Sequence, residues 1–407
     1  MKASSDLSGT IAVASPRRGT PEPAAREGIP LLRLGFRPFY LLASIFAASS
    51  VAVWTARYAG WLAVPYGAGP LWHAHEMLFG FTMAVVAGFL FTAVRNWTGL
   101  PTPVGARLAL IAVLWLAGRV LVLTPFGWAS AVVNAAFPLV IALGIGVPLA
   151  RGGNRRNYFF VALMVIVACA VLAVHLAQLG VAELPAWLGI QVALDVVLFV
   201  MAVMGGRVIP MFTNNGVPGA GARRLKWLER LALGATLVVL LADALQVRDA
   251  PLIVVLGIAS CAHAARLALW APWRTTSAPL VWVLHAAYAW IPVHLALRAL
   301  SEAGFVPSPL ATHALTIGAI GGLTIGMMTR TARGHTGRDL RADRFEVACF
   351  LLVLSAAAVR VFGPLVVADH YVATVALAGV LWSCAYAIYA VRYWPVLTRP
   401  RHDGKQG

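Results

Sequence analysis

The sequence predicts an all-α fold, a polytopic membrane bundle of about twelve transmembrane helices with both termini in the cytoplasm. Three observations carry that prediction. Only 12% of the 407 residues are charged and 60% are hydrophobic, whereas a soluble domain carries about 25% charged residues. Too few charges remain to cover a water-facing surface. Apolar runs of about 18 residues or more, each long enough to cross a bilayer, recur from Phe36 to the C-terminal region; a β-barrel would instead alternate over segments of about ten residues. Lys and Arg collect in alternate loops, the asymmetry that orients membrane helices.

Taken in order, residues 1–30 are polar and rich in Pro, Ser and Arg. They lack the apolar core of a cleaved leader and read as a disordered cytoplasmic tail. The bundle follows over 31–395, and a second cytoplasmic tail over 396–407. The first two helices, 36–58 and 71–95, are divided by turn residues from Pro65 to Pro70. Pro101 and Pro103 precede the third, 104–122. The fourth and fifth, 128–150 and 157–178, flank Gly152-Gly153-Asn154. The sixth, 186–212, is parted from the seventh, 226–245, by Gly216 to Gly221. The remaining five span 250–270, 277–299, 308–333, 343–363 and 370–394.

Of the 32 Lys and Arg residues, 26 fall in the tails and the even-numbered loops. Arg223, Arg224, Lys226 and Arg230 follow the sixth helix, and Arg330, Arg333, Arg338, Arg341 and Arg344 follow the tenth. The odd-numbered loops hold only Arg57, Arg119, Arg248, Arg298 and Arg360, on or near them. A net charge of +17 would suggest nucleic acid on a soluble protein; here topology accounts for it, and the partner is the lipid bilayer. No internal repeat is apparent, which weighs against a transporter built by duplication. Cys169, Cys261, Cys349 and Cys384 fall inside predicted helices without a C-x-x-C pair, which argues against disulfides and covalent c-type haem.

Ionisable residues within the spans mark the candidate site. His73 and His75 open the second helix at its outer end, His313 opens the tenth, and His285 lies near the middle of the ninth. Imidazole suits copper, zinc and iron, so these four are candidate metal or haem ligands. His73 and His75 are about 200° apart on an ideal helix and share one metal only if the helix begins irregularly. Glu76 is placed to orient His73. His175, His294 and His370 read as interhelical hydrogen-bonding residues. Arg119, Asp195 and Arg207 are buried charges that require partners; for Arg119 these are Glu76, Asp195 or a haem propionate. Glu76, Asp195 and His294 are candidate proton relays. An inner-face group of Arg37, Asn96, Asn214, Asn215 and Arg330 to Arg338 reads as capping and loop locking, with proton uptake or propionate anchoring as alternatives. Gly318, Gly321, Gly322 and Gly326 read as close helix packing, or as room for a flat macrocycle. P-loop, G-x-G-x-x-G and H-E-x-x-H motifs are absent.

Six segments resemble the NnrS family: LGFRPFYLLA at 34–43, WHAHEMLFGF at 72–81, GFLFTAVRNWTG at 88–99, GRVIPMFTNNG at 206–216, LHAAYAWIP at 284–292 and HALTIGAIGGLTIGMMTRTARGHTGR at 313–338. The likeness runs from about residue 31 to 395. It implies a haem b and copper protein of the bacterial inner membrane, tied to the nitric oxide response. The ligand role it implies passes to His73, His75, His285 and His313, with copper near His73, His75 and His313 and haem on the deeper His285. Arg119 and Arg207 are then candidate propionate partners, and Glu76 and Asp195 candidate catalytic residues. The expected activity is handling of nitric oxide, as a reductase joining two NO into N₂O with electrons from an external quinol or cytochrome. A non-catalytic NO sensor or scavenger is the alternative, and a secondary transporter a third.

Overall fold

The computed structural model describes residues 28–62 and 69–404. The expected tail over 1–30 therefore lies almost wholly outside the described residues, as do the turn at Pro65 and residues 405–407. Among the described residues the chain forms twelve principal helices and no strand. They are α1 (Phe36–Tyr58), α2 (Pro70–Thr98), α3 (Ala106–Leu121), α4 (Gly127–Arg151), α5 (Phe159–Gln178), α6 (Ala186–Gly216), α7 (Lys226–Ala244), α8 (Asp249–Leu269), α9 (Pro279–Glu302), α10 (Ser308–His335), α11 (Arg344–Val366) and α12 (Tyr371–Thr398). Ten are long and apolar enough to cross a membrane. The two others have clear reasons. α3 has 16 residues, about 24 Å at 1.5 Å per residue, short of a hydrocarbon core of about 30 Å. α7 carries Lys226, Glu229 and Arg230 at its start and Asp243 near its end.

Neighbours in sequence are mostly neighbours in space. α1 packs on α2 and α12, α4 on α5, α5 on α6, α8 on α9 and α11 on α12, so the last helix closes the bundle against the first. Arg37, fully buried at the start of α1, donates from Nη1 to the Leu397 and Arg399 carbonyls at 3.0 and 2.8 Å. Both described chain ends thus lie at one end of the bundle, the terminal end. Residues 396–398 continue α12. Beyond them, Arg401 Nη1 bonds the His335 carbonyl at 3.0 Å and the His402 N–H bonds the Thr336 carbonyl at 3.1 Å, so the segment expected as a tail folds back on α10.

Three helices depart from regular α geometry where function was expected. α2 widens into a π turn over Glu76–Thr82, directly after His75, and α10 does so over Ala314–Gly321, directly after His313. Such turns occur frequently at functional sites. α9 is interrupted at Ala289, three residues before Pro292, whose missing N–H and ring disturb the preceding turn.

Candidate metal and cofactor site

Opposite the terminal end, at the far end of the bundle, a cavity of about 660 Å³ opens among α1, α2, α6, α9, α10, α11 and α12. That volume suits a cofactor-sized ligand. α2 and α10 enter it in the same way. Each begins with a six-residue α segment, Pro70–His75 or Ser308–His313, with proline in the first turn. Proline is favoured there because the first N–H groups have no partner within the helix.

His73 and His313 both line this cavity. The His73 ring stacks on Trp54, with centroids 4.9 Å apart and planes 12° from parallel. His313 Nδ1 is 2.6 Å from the Pro309 carbonyl oxygen. A carbonyl can only accept, so Nδ1 carries the proton and Nε2 presents a lone pair, the state in which imidazole binds a metal. Arg248, Arg298 and Arg360 also border the space. Arg360 Nη2 donates to the Tyr371 hydroxyl at 3.0 Å, while its Nη1 is buried without a partner.

His75 faces elsewhere, as its spacing from His73 implies. Its Nε2 lies 3.1 Å from His175 Nε2, the rings nearly perpendicular at 80°. Its Nδ1 donates to Glu76 Oε1 at 2.8 Å, which leaves Nε2 as an acceptor. Glu76 also receives Arg119 Nη1 at 2.6 Å. Arg119 Nη2 bonds the Asn134 amide oxygen, and Asn134 Nδ2 donates to the Ser130 carbonyl at 2.9 Å. His75, His175, Glu76 and Arg119 are all buried. Glu76 therefore orients His75, not His73, and Arg119 takes Glu76 as its partner.

The other expected residues do not join the cavity. His285 lies thirteen residues from Arg298 along α9, about 20 Å, toward the terminal end. Thr213 Oγ1 donates to the Ile209 carbonyl at 2.8 Å, so it accepts from His285 Nε2 at 2.8 Å. That places the lone pair on Nδ1, which is buried and without a partner. Arg207 is sixteen residues beyond Gln191 on α6, about 24 Å, where it donates to Asn157 Oδ1 at 2.7 Å and covers the Phe159 ring. Asp195 sits behind the cavity wall, bonded to Gln191 Nε2 at 3.1 Å and 3.5 Å from Arg298 Nη1. The four proposed ligands thus divide among three places: His73 with His313, His75 with His175, and His285 alone. Sequence alone reads His175 as an interhelical hydrogen-bonding residue, because a single membrane histidine usually bonds a neighbouring helix. The signal available was its depth, matched to that of His75.

His294 Nδ1 donates to the Ala311 carbonyl at 2.7 Å, and its Nε2 is buried without a partner. His263 is satisfied on both nitrogens, by Thr236 at 2.9 Å and Tyr288 at 2.6 Å. At the terminal end, polar residues tie loops to helices. Asn214 exchanges two hydrogen bonds with Ala222, at 3.0 and 2.9 Å, and Arg333 bonds Glu346 at 2.7 Å. The glycines of α10 meet protein: a Cβ at Gly322 would stand 2.6 Å from the Ala287 Cβ, and one at Gly326 3.0 Å from Leu284.

A protein-family model described as "NnrS protein" matches residues 30–401, nearly the whole chain. No curated protein matches it.

Proposed function

The chain belongs to the NnrS family, membrane proteins tied to the nitric oxide response and generally haem- and copper-binding; on that premise we propose that it binds nitric oxide at the far-end cavity and reduces it. The reaction is 2 NO + 2 e⁻ + 2 H⁺ → N₂O + H₂O, with electrons from an external quinol or cytochrome. The single observation that carries this reading is the cavity itself, which His73 and His313 both line, with a lone pair on His313 Nε2.

Paired histidines and free guanidinium nitrogens support a place for each group, although among the described residues no three His, Cys, Asp or Glu side chains gather as a metal cluster. Haem b would be held by His73 and His313, and its carboxylates would meet Arg248 and the unpartnered Nη1 of Arg360. Copper would be held by the Nε2 atoms of His75 and His175, with the proton that His175 Nε2 donates to His75 moved to its Nδ1, and with His75 oriented by Glu76 as carboxylates orient metal-bound imidazoles. When bound, the two metals supply electron transfer and coordination of NO. The protein's own work is separate. The apolar wall from Leu78, Phe81, Ile317 and Trp382 excludes water and admits NO, an apolar gas that partitions into the bilayer. Trp54 fixes the plane of His73, and the Pro309 carbonyl fixes the tautomer of His313. The positive-inside bias supports a cytoplasmic terminal end, with the cavity then on the outer side of a bacterial inner membrane.

The test is purified protein from haem- and copper-replete cells, supplied with a reductant and NO. NO loss matched by N₂O gain, abolished in His73→Ala and His313→Ala, supports reduction. NO binding by optical spectrum without N₂O would replace the reductase with a sensor or scavenger.

A further inference from the structure

Behind the cavity wall lies a pair of buried carboxyls that this reading leaves unused. Asp195 on α6 and Asp243 on α7 are both 0% exposed. Arg298 of α9 stands between them, with Nη1 3.5 Å from Asp195 Oδ1 and Nη2 bonded to Asp243 Oδ1. Gln191 Nε2 gives Asp195 Oδ1 a further donor at 3.1 Å, and Arg248 Nη1 reaches Asp243 Oδ1 at 3.4 Å. Every donor is on the Oδ1 side. Both Oδ2 atoms are buried and have no donor, and the one guanidinium of Arg298 holds the two carboxyl groups side by side.

Charge and hydrogen bonding point the same way. An ionised carboxylate offers acceptors only, and a buried acceptor without a donor is costly. Two ionised carboxylates in contact would repel with no proton between them. One proton held in common gives both Oδ2 atoms a partner. It also brings the pair to a single negative charge, matched by the buried Arg298, as in other carboxyl pairs that share a site. The other ionisable groups nearby are His294 and Glu302 on α9, and Arg248, whose side chain is 44% exposed.

We propose that Asp195 and Asp243 share one proton and serve as a proton store for the cavity. Gln191, Arg298 and Arg248 touch the pair on one side and line the cavity on the other. Release of the proton leaves both carboxylates ionised against Arg298 and Arg248, and the proton is replaced from water at the far end past the exposed Arg248. Only the use of the proton in NO reduction rests on the reading above; the shared proton does not.

Infrared spectroscopy of the full chain in lipid bilayers tests this without haem, copper or NO. The expected result at neutral pH is a protonated-carboxyl C=O band that moves on exchange into D₂O and on incorporation of carboxyl-¹³C aspartate. It disappears in Asp195→Asn and in Asp243→Asn, because either leaves one carboxylate paired with Arg298. No aspartate-shifted band in the unsubstituted protein overturns the proposal, and that measurement needs no variant to fold. A band that persists in both folded variants overturns it equally.

Discussion

Replacing Arg119 by methionine removes one half of an ion pair almost wholly withdrawn from solvent. The side chains of Arg119 and Glu76 are 8% and 2% exposed, with Nη1 and Oε1 2.6 Å apart. The variant leaves the Glu76 carboxylate buried with only the His75 N–H as donor, and leaves the Asn134 amide oxygen without its guanidinium partner. Breaking a buried pair from one side costs about 3–5 kcal/mol. The remaining His75 bond places the expected loss near the lower bound, about 3 kcal/mol, a factor of roughly 100 in the folding equilibrium at 1.4 kcal/mol per tenfold. Reversible unfolding in mixed micelles measures it. Glu76→Gln should cost less, because a neutral amide can still accept from Arg119 and His75. The double variant Glu76→Gln with Arg119→Met should recover part of the loss, since no buried charge is left alone; the shortfall from additivity measures the coupling. A cost below about 0.5 kcal/mol for Arg119→Met, the level of an ordinary surface change, would refute the reasoning, as would strict additivity in the double variant.

Other outcomes follow from the same geometry. His75→Ala and His175→Ala should each remove bound copper while His263→Ala does not, and Glu76→Gln should weaken copper binding by about 10- to 100-fold; metal analysis and copper titration check both. Gly322→Leu should destabilise by at least about 1–3 kcal/mol through overpacking against Ala287, read by unfolding in the same micelles. Asp343, at the start of α11 and outside the membrane spans, is pushed up by burial, but the Glu346 N–H, the Arg392 guanidinium and the Phe345 N–H outweigh this and hold it below its ordinary value. A depressed carboxyl contributes fully above its unfolded pKa of about 3.9 and loses that contribution as pH falls through its lowered value. Asp343→Ala should therefore cost about 1 kcal/mol at neutral pH, as loss of an N-cap does, and progressively less as the medium is acidified below about pH 4.

The bundle was legible because bilayer physics is one-dimensional. Length and apolarity alone mark α4, α5 and α6, and the predicted seventh helix at 226–245 matches Lys226–Ala244 although its charges keep it from passing as a span. Boundaries drift most at helix C-termini, as where the sixth helix, expected to end at 212, continues to Gly216. The second helix, expected at 71–95, runs to Thr98 and contains a π turn, and no periodicity rule anticipates an extra residue in a turn. The site was legible in part. The depth of each histidine follows from topology, so the gathering of His73, His75 and His313 at one end was readable. Their rotation into different neighbourhoods was also readable for His73 and His75, which are two residues apart. Which helix stands opposite was not. His175 is 100 residues from His75, and Arg298 meets Asp243 across 55. Such pairings depend on how α2, α5, α7 and α9 pack, and a single sequence carries no term for that.

The far-end cavity as the haem site is tested most directly by the optical spectrum of haem-replete, purified protein and two sets of variants. His73→Ala and His313→Ala should each lose or shift the Soret band, and His285→Ala, about 20 Å away along α9, should leave it in place. A band unchanged in His73→Ala and His313→Ala but lost in His285→Ala would contradict the assignment and move the haem to the terminal half of the bundle.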